Sequence, residues 1–245
     1  VNDIASNIFS QTNRETFINE SRSFFSDDEL DQISENRSHT INLRIEQEID
    51  STQDIRLNSS LNINDGNINS KELSANTNKE GSLANTGNTN YQSNADQMTP
   101  SGSLLYRKRL GSNVPWVVTL EGTLNQTDND ANGNLNSDND FAPSDPNMDV
   151  RQILLQRQLE SDDENSYRVD ATLTQPLGSG QYLDYNYRRS NTSNDVVTDV
   201  YDIDNDMEVL NTILSTRYTR DYSYNRYGLA WQKEGDKSSL SLGTY

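Results

Sequence analysis

The sequence has no cysteine, one histidine and five prolines among 245 residues. Without cysteine there are no disulfides, thiolate metal sites or thiol nucleophiles. No apolar run reaches eighteen residues, so no transmembrane helix is encoded. No basic, apolar, small-residue leader opens the chain. Basic residues are also few, 20 Lys and Arg against 38 Asp and Glu, a net charge of −18. Such an acid surplus repels nucleic-acid backbones, and no nucleic-acid partner is expected. Apolar residues make up 31% of the chain, a fraction that borders on the compositions of disordered chains. Apolar surface must therefore be spread thinly rather than gathered in one core. The chain begins at Val1 and ends at Tyr245 inside an alternating run, the pattern expected of a piece excised from a longer protein.

What the chain does have is alternation of period two, the mark of strands whose successive side chains face opposite ways. In "HTINLRIEQEI", Ile41, Leu43, Ile45 and Ile49 share one face, and Asn42, Arg44, Glu46 and Glu48 the other. "DIRLNSSLNIN" repeats this with Ile55, Leu57, Leu61 and Ile63, after only "DSTQ" at 50–53. A second pair, "GSLLYRKRL" and "PWVVTLEGTLN", is joined through "GSNV" at 111–114. A third sets Tyr167, Val169, Ala171 and Leu173 against Leu183, Tyr185 and Tyr187 across "PLGSG". A fourth joins "SYNRYGLAWQ" to "SSLSLGTY" through "KEGDK" at 233–237. Each short turn is rich in Gly, Asn, Asp or Ser, as tight hairpins require.

Between the pairs, residues 65–100, 127–163 and 190–218 are rich in Asn, Asp, Ser and Thr, and read as long loops. Short turns thus alternate with long connections. A transmembrane β-barrel has that asymmetry, together with an apolar face toward lipid and a polar lumen. It also explains the composition, because only a belt about 25 Å tall has to be apolar. The predicted fold is all-β: an antiparallel up-and-down transmembrane β-barrel segment of about eight strands in four hairpins, with short periplasmic turns and long extracellular loops. Tyr106, Trp116, Tyr182 and Trp231 lie near the short turns and fit a periplasmic girdle. Arg44, Arg56, Arg107, Arg109, Arg168 and Arg188 fall on the polar face among Glu46, Glu48, Asp54, Asp170 and Asp184, a pattern suited to charge ladders lining a lumen. Lys108 falls on the apolar face next to a turn, where it could snorkel to a membrane boundary.

The segments "HTINLRIEQEIDSTQDIRLNSSLN", "SLLYRKRLG", "VDATLTQPLGSGQYLDYNY" and "TRDYSYNRYGLAWQKEGDKSSLSLG" resemble the outer-membrane β-barrel proteins of Bacteroidota, a TonB-dependent-receptor-like family. The resemblance covers residues 38–64 and 100–245, and its most specific part is the Pro-Leu-Gly turn in its order among the others. It implies residence in the outer membrane of a Gram-negative cell. It also implies a barrel larger than this chain, preceded by a plug and a periplasmic domain, neither of which is present.

The stretch "DNDANGNLNSDND" has the opening of a calcium loop. Asp128, Asp130, Asn132 and the carbonyl of Asn134 have the ligand spacing, and Gly133 stands at the expected sharp turn. The bidentate Glu of the twelfth position is missing; Asn139 stands there between Asp138 and Asp140. In a chain this rich in Asp and Asn, a solvated loop is the commoner source of such a match, so Ca2+ is the single cofactor with any sequence support. "DVYDIDNDME", with Asp199, Asp202, Asp204, Asp206 and Glu208, reads as an acidic surface loop. No enzyme is expected: His39 is the sole histidine, and there is no nucleophile elbow and no phosphate-binding glycine loop.

Residues 1–37 read as a surface loop segment, with a helical turn near Asp27–Ile33 from a weak capping box at Ser26 and Glu29. Residues 38–245 read as the barrel segment, and "VRQILLQRQLE" at 150–160 as a strand extension. The expected role is transport or a membrane scaffold whose surface loops bind ligand or partner protein. The expected partners are outer-membrane lipid and a surface lipoprotein or other outer-membrane protein. The rival is a soluble or surface-attached β-sheet binding module of the adhesin or lectin kind.

Overall fold

The computed structural model describes residues 2–19, 22–111, 115–141, 150–205, 207–235 and 238–244. Ten strands follow one another in the chain. They are β1 (Asn2–Asn19), β2 (Arg22–Asp50), β3 (Gln53–Asn78), β4 (Leu83–Leu110), β5 (Trp116–Phe141), β6 (Val150–Gly178), β7 (Gln181–Asp204), β8 (Met207–Leu210), β9 (Thr216–Glu234) and β10 (Ser239–Thr244). They form one antiparallel sheet in which each strand pairs with its sequence neighbour, except that β9 pairs with β7 and the short β8 adds to β7's far end. The architecture is all-β and up-and-down, as expected.

The lengths differ from expectation. β2 and β6 each run 29 residues, about 95 Å at the usual rise per residue. The segments at 65–100, 127–163 and 190–218 are mostly strand, not loop. Their outer ends turn at 79–82 and, after the short β8, at 211–215. Residues 142–149, 112–114, 236–237 and Asp206 lie outside the described residues. Residues 2–19 form β1, and β2 passes through position 37 without interruption, so the first segment is strand as well. The Asp27–Ile33 turn is also extended: its carboxylates would cap a helix, but the backbone pairs in register with Asn69–Ala75 and with Asn7–Asn13. Residues 150–160 are strand, as read.

The tight turns behave as their residues dictate. Gly178, Ser179 and Gly180 all have positive φ. At Gly180 an added Cβ would lie 2.4 Å from the Glu234 carbonyl oxygen, and the Glu234 N–H donates to the Gly180 carbonyl at 2.7 Å. A side chain there is opposed by backbone from β9 as well as by left-handed geometry.

The sheet has almost no interior. Among the described residues Val200 is the one buried apolar side chain. It sits at the far end of β7, where its N–H donates to the Ser215 hydroxyl at 3.0 Å. Nearby, Gln156 donates to Asp202 at 2.7 Å, and Asn211 to the other Asp202 oxygen at 2.8 Å. Elsewhere both faces are open, with Ile41 62%, Leu124 59% and Tyr227 70% exposed.

Candidate functional site: an apolar band and a charged face

Antiparallel partners share a face, so the registers show which side chains lie together across the sheet. On one face, Ile55–Ile63, Met98–Leu110, Trp116–Leu124, Tyr167–Leu173, Leu183–Tyr187 and Tyr227–Trp231 align as a band. Its upper edge, the one away from the tight turns, passes through three directly opposed pairs: Ile63–Met98, Leu124–Tyr167 and Tyr187–Tyr227. These pairs do not lie on one rung of the ladder. Leu124 is opposite Gly102, four residues below Met98, and Tyr187 is opposite Ala171, four residues below Tyr167. The lower edge steps down once, by four residues between Ile55 on β3 and Leu110 on β4, and is then level through Trp116, Leu183 and Trp231.

From β3 to β9 the upper edge descends by eight residues, or about 26 Å, while crossing five strand spacings, about 24 Å. It therefore cuts the rungs at about 48°, close to the 35–45° strand tilt of membrane barrels. Aromatics mark both edges, Tyr167, Tyr187 and Tyr227 above and Trp116 and Trp231 below. The Trp231 indole donates to Gln181 at the turn end, at 3.3 Å. Tyr106 is on this face and donates to Gln53 at 2.6 Å. Tyr182 pairs with Pro176 and Gln232 on the opposite face, so it leaves the girdle. Lys108 is on the band face at its lower margin, as read.

The opposite face carries the charge ladder read from sequence. One rung runs Glu46–Arg56–Leu105–Glu121–Asp170–Arg188–Arg226 across seven strands. Arg56 meets Glu46 at 2.9 Å and Arg107 meets Asp54 at 2.7 Å. Arg168 lies 2.8 Å from Asp170, which also pairs with Arg188. Asp184 is held by the Thr174 hydroxyl and by Gln232 at 2.7 Å. A cavity of about 340 Å³ lies here, lined by Glu121, Asp170, Arg188 and Arg226. Glu121 alternates with the apolar residues of its strand in the sequence, whereas Arg226 joins the rung only through the register of β7 with β9.

Beyond the band the character changes. The stretches near the tight turns, 39–63, 99–125, 166–189 and 222–245, carry 9 acidic and 11 basic residues; the other 29 acidic and 9 basic residues lie outside them. On the band face just above the edge, Asp65, Asp96 and Asp130 share a rung, and Asp128, Asp163 and Asp195 share the next. Burial and the nearby Asp128, Asp130, Asp195 and Asp162 push the Asp163 carboxyl above the ordinary aspartate value. Arg151 holds Asp138 below it.

The structure does not assemble the calcium pattern as a loop. Asp128, Asp130, Asn132, Asn134, Asp138 and Asp140 lie along one face of β5, successive ones about 6.8 Å apart except Asn134 and Asp138, which are about 13.6 Å apart. Gly133 is ordinary strand with Tyr91 lying over it. Among the described residues no group of three or more His, Cys, Asp or Glu is arranged to hold a metal. Asp138 is instead engaged by Arg151. His39 lies inside β2 opposite Ile63, rather than at a strand's start.

No protein-family model and no curated protein matches the chain. Among solved structures, the siderophore receptor PiuA from Acinetobacter baumannii aligns at 9% identity and a TM-score of 0.36, over 98% of this chain and 48% of the receptor. The transport unit of the autotransporter AIDA-I from Escherichia coli aligns at 9% identity and a TM-score of 0.17, over 98% of this chain and 80% of that one. The beta domain of the Bordetella autotransporter BrkA aligns at 8% identity and a TM-score of 0.13, over 98% and 94%. This chain spans about half the length of the siderophore receptor. The functional reading below rests on the chain's own band and faces.

Proposed function

We propose that this chain forms part of the wall of an outer-membrane β-barrel in a Gram-negative cell, serving transport or acting as a membrane scaffold. The tight turns lie in the periplasm. The strand extensions beyond the band stand outside the cell and offer surface to a ligand, a surface lipoprotein or another outer-membrane protein. The role is passage and binding rather than catalysis, and the resemblance noted in the sequence makes the barrel TonB-dependent-receptor-like.

The observation that carries this reading is the oblique apolar band. A soluble sheet would bury such a band under a second layer, whereas among the described residues no second layer covers it, and its side chains are half-buried to exposed. Lipid covers such a band without a second layer. The tilt follows from barrel geometry, because strands that close into a barrel must lean against the axis. In hydrocarbon every backbone group must be paired, so the band also demands that both sheet edges find partners.

Single cysteines test this cleanly in a chain that has none. One is placed at Asn88 on far β4 and one at Ser179 in a tight turn, and intact cells are treated with a membrane-impermeant maleimide. The expected result is labelling at Asn88 in intact cells, and at Ser179 only after the outer membrane is broken. Equal labelling at both positions in intact cells overturns the barrel and leaves a soluble or surface-attached binding module.

A further inference from the structure

Arg189 differs from the arginines around it. Arg56 pairs with Glu46, Arg107 with Asp54 and Arg217 with Asp199, but no carboxylate forms an ion pair with Arg189 among the described residues. It also lies on the band face, one alternate position above Tyr187, with Val169 and Asn225 as register partners. The next carboxylates on that face are Asp163, Asp195 and Asp221, each beyond at least one uncharged position.

The polar groups that do surround it are neutral. Tyr187 stands one alternate position below it on the same strand face, and Tyr167 one alternate position above its register partner Val169. The Tyr187 hydroxyl donates to Asn225 Oδ1 at 3.0 Å, which leaves the Asn225 Nδ2 as a donor beside the guanidinium. An unneutralised guanidinium in a chain of net charge −18 is a fork of donors shaped for a phosphate oxygen pair. At the edge of a lipid-facing band, Tyr and Arg sit at headgroup depth.

We infer that Arg189, with Tyr167, Tyr187 and Asn225, holds a phosphate group at the upper edge of the band, and that its source is the headgroup of an outer-leaflet lipid. The inference rests on the membrane reading of the band, so its test begins by checking that reading separately. The full chain is folded into phosphatidylcholine vesicles, and insertion is read by protection of the band from protease.

For inserted protein, association of spin-labelled phosphatidic acid, a phosphate monoester, is compared with that of spin-labelled phosphatidylcholine by electron paramagnetic resonance. One surface cation draws an anionic headgroup to it, and a preference of about fivefold is expected. Arg189→Gln should bring the preference to parity, Arg189→Lys should keep part of it, and Arg217→Gln should leave it intact. An inserted protein with no preference, or one whose preference survives Arg189→Gln, overturns the inference while sparing the barrel. Loss of the preference on adding inorganic phosphate to the buffer overturns the lipid assignment in favour of the free ion.

Discussion

Each long strand is two materials joined end to end. Near the tight turns, β3 to β9 carry apolar side chains on one face and a nearly balanced set of ion pairs on the other. Farther out the same strands carry amides and carboxylates, as in the rungs Asn67–Asn94–Asn132 and Asn69–Gln92–Asn134. Asn67 donates to Asn94 at 2.6 Å, an amide ladder in place of apolar contact. The backbone pairing is the same in both parts, so the difference lies in what each face meets. A balanced charge set suits a confined polar interior, where an unpaired charge is costly. A strong acid excess suits open water.

The contrast can be broken at one end and left untouched at the other. Leu120→Arg places a cation in the middle of the band and should destabilise the membrane-inserted protein by about 2–4 kcal/mol. The same change at Asn134 should cost little, and denaturant titration from vesicles compares the two. Gly180→Ala meets left-handed φ and the Glu234 carbonyl together. The expected loss is about 2 kcal/mol, most of it at the β7–β9 turn end, where hydrogen exchange should speed up.

Arg188→Met removes one partner of Asp170 and leaves Arg168 with it. A loss of about 1–2 kcal/mol is expected, and a double-mutant cycle with Asp170→Asn should show the two changes to be coupled. The smallest effect concerns pH. Asp163 is raised above the ordinary value of 3.8, so the folded state holds that proton more tightly than the unfolded one. Its contribution is present below 3.8 and is lost as pH rises through the raised value. Acidification from neutrality should therefore slow exchange at Asp128–Ala131 and Glu160–Asp163, after correction for intrinsic rates. Asp163→Asn should remove that response.

The near-turn half was legible in the sequence because lipid-type burial on one side and water-type chemistry on the other write themselves as alternation. Ile41 to Ile45, Leu57 to Ile63 and Leu183 to Tyr187 all fall on the faces their spacing predicted. The far half was not legible as strand. With polar residues on both faces, Asn69, Asn90 and Asn136 leave no periodic signal, and Asn and Asp are poor strand formers by propensity. They are extended because the hairpins below already fix their register, which local reading does not see. The calcium pattern failed to close for the same reason: Gly133 looks like a turn until Tyr91 and the β4 ladder hold it straight. Arg189 carries no mark in the sequence, because what sets it apart from the paired arginines is its surroundings on three strands at once.

The ladder between β5 and β6 runs from Val117–Thr174 to Phe141–Val150 without a register shift. No hinge separates the part beyond the band from the part within it. A load applied sideways at the far tips would be carried down as leverage on the band, the sheet bending as a stiff beam. Pulling one strand past its neighbour would have to shear every rung together rather than unzip them in turn.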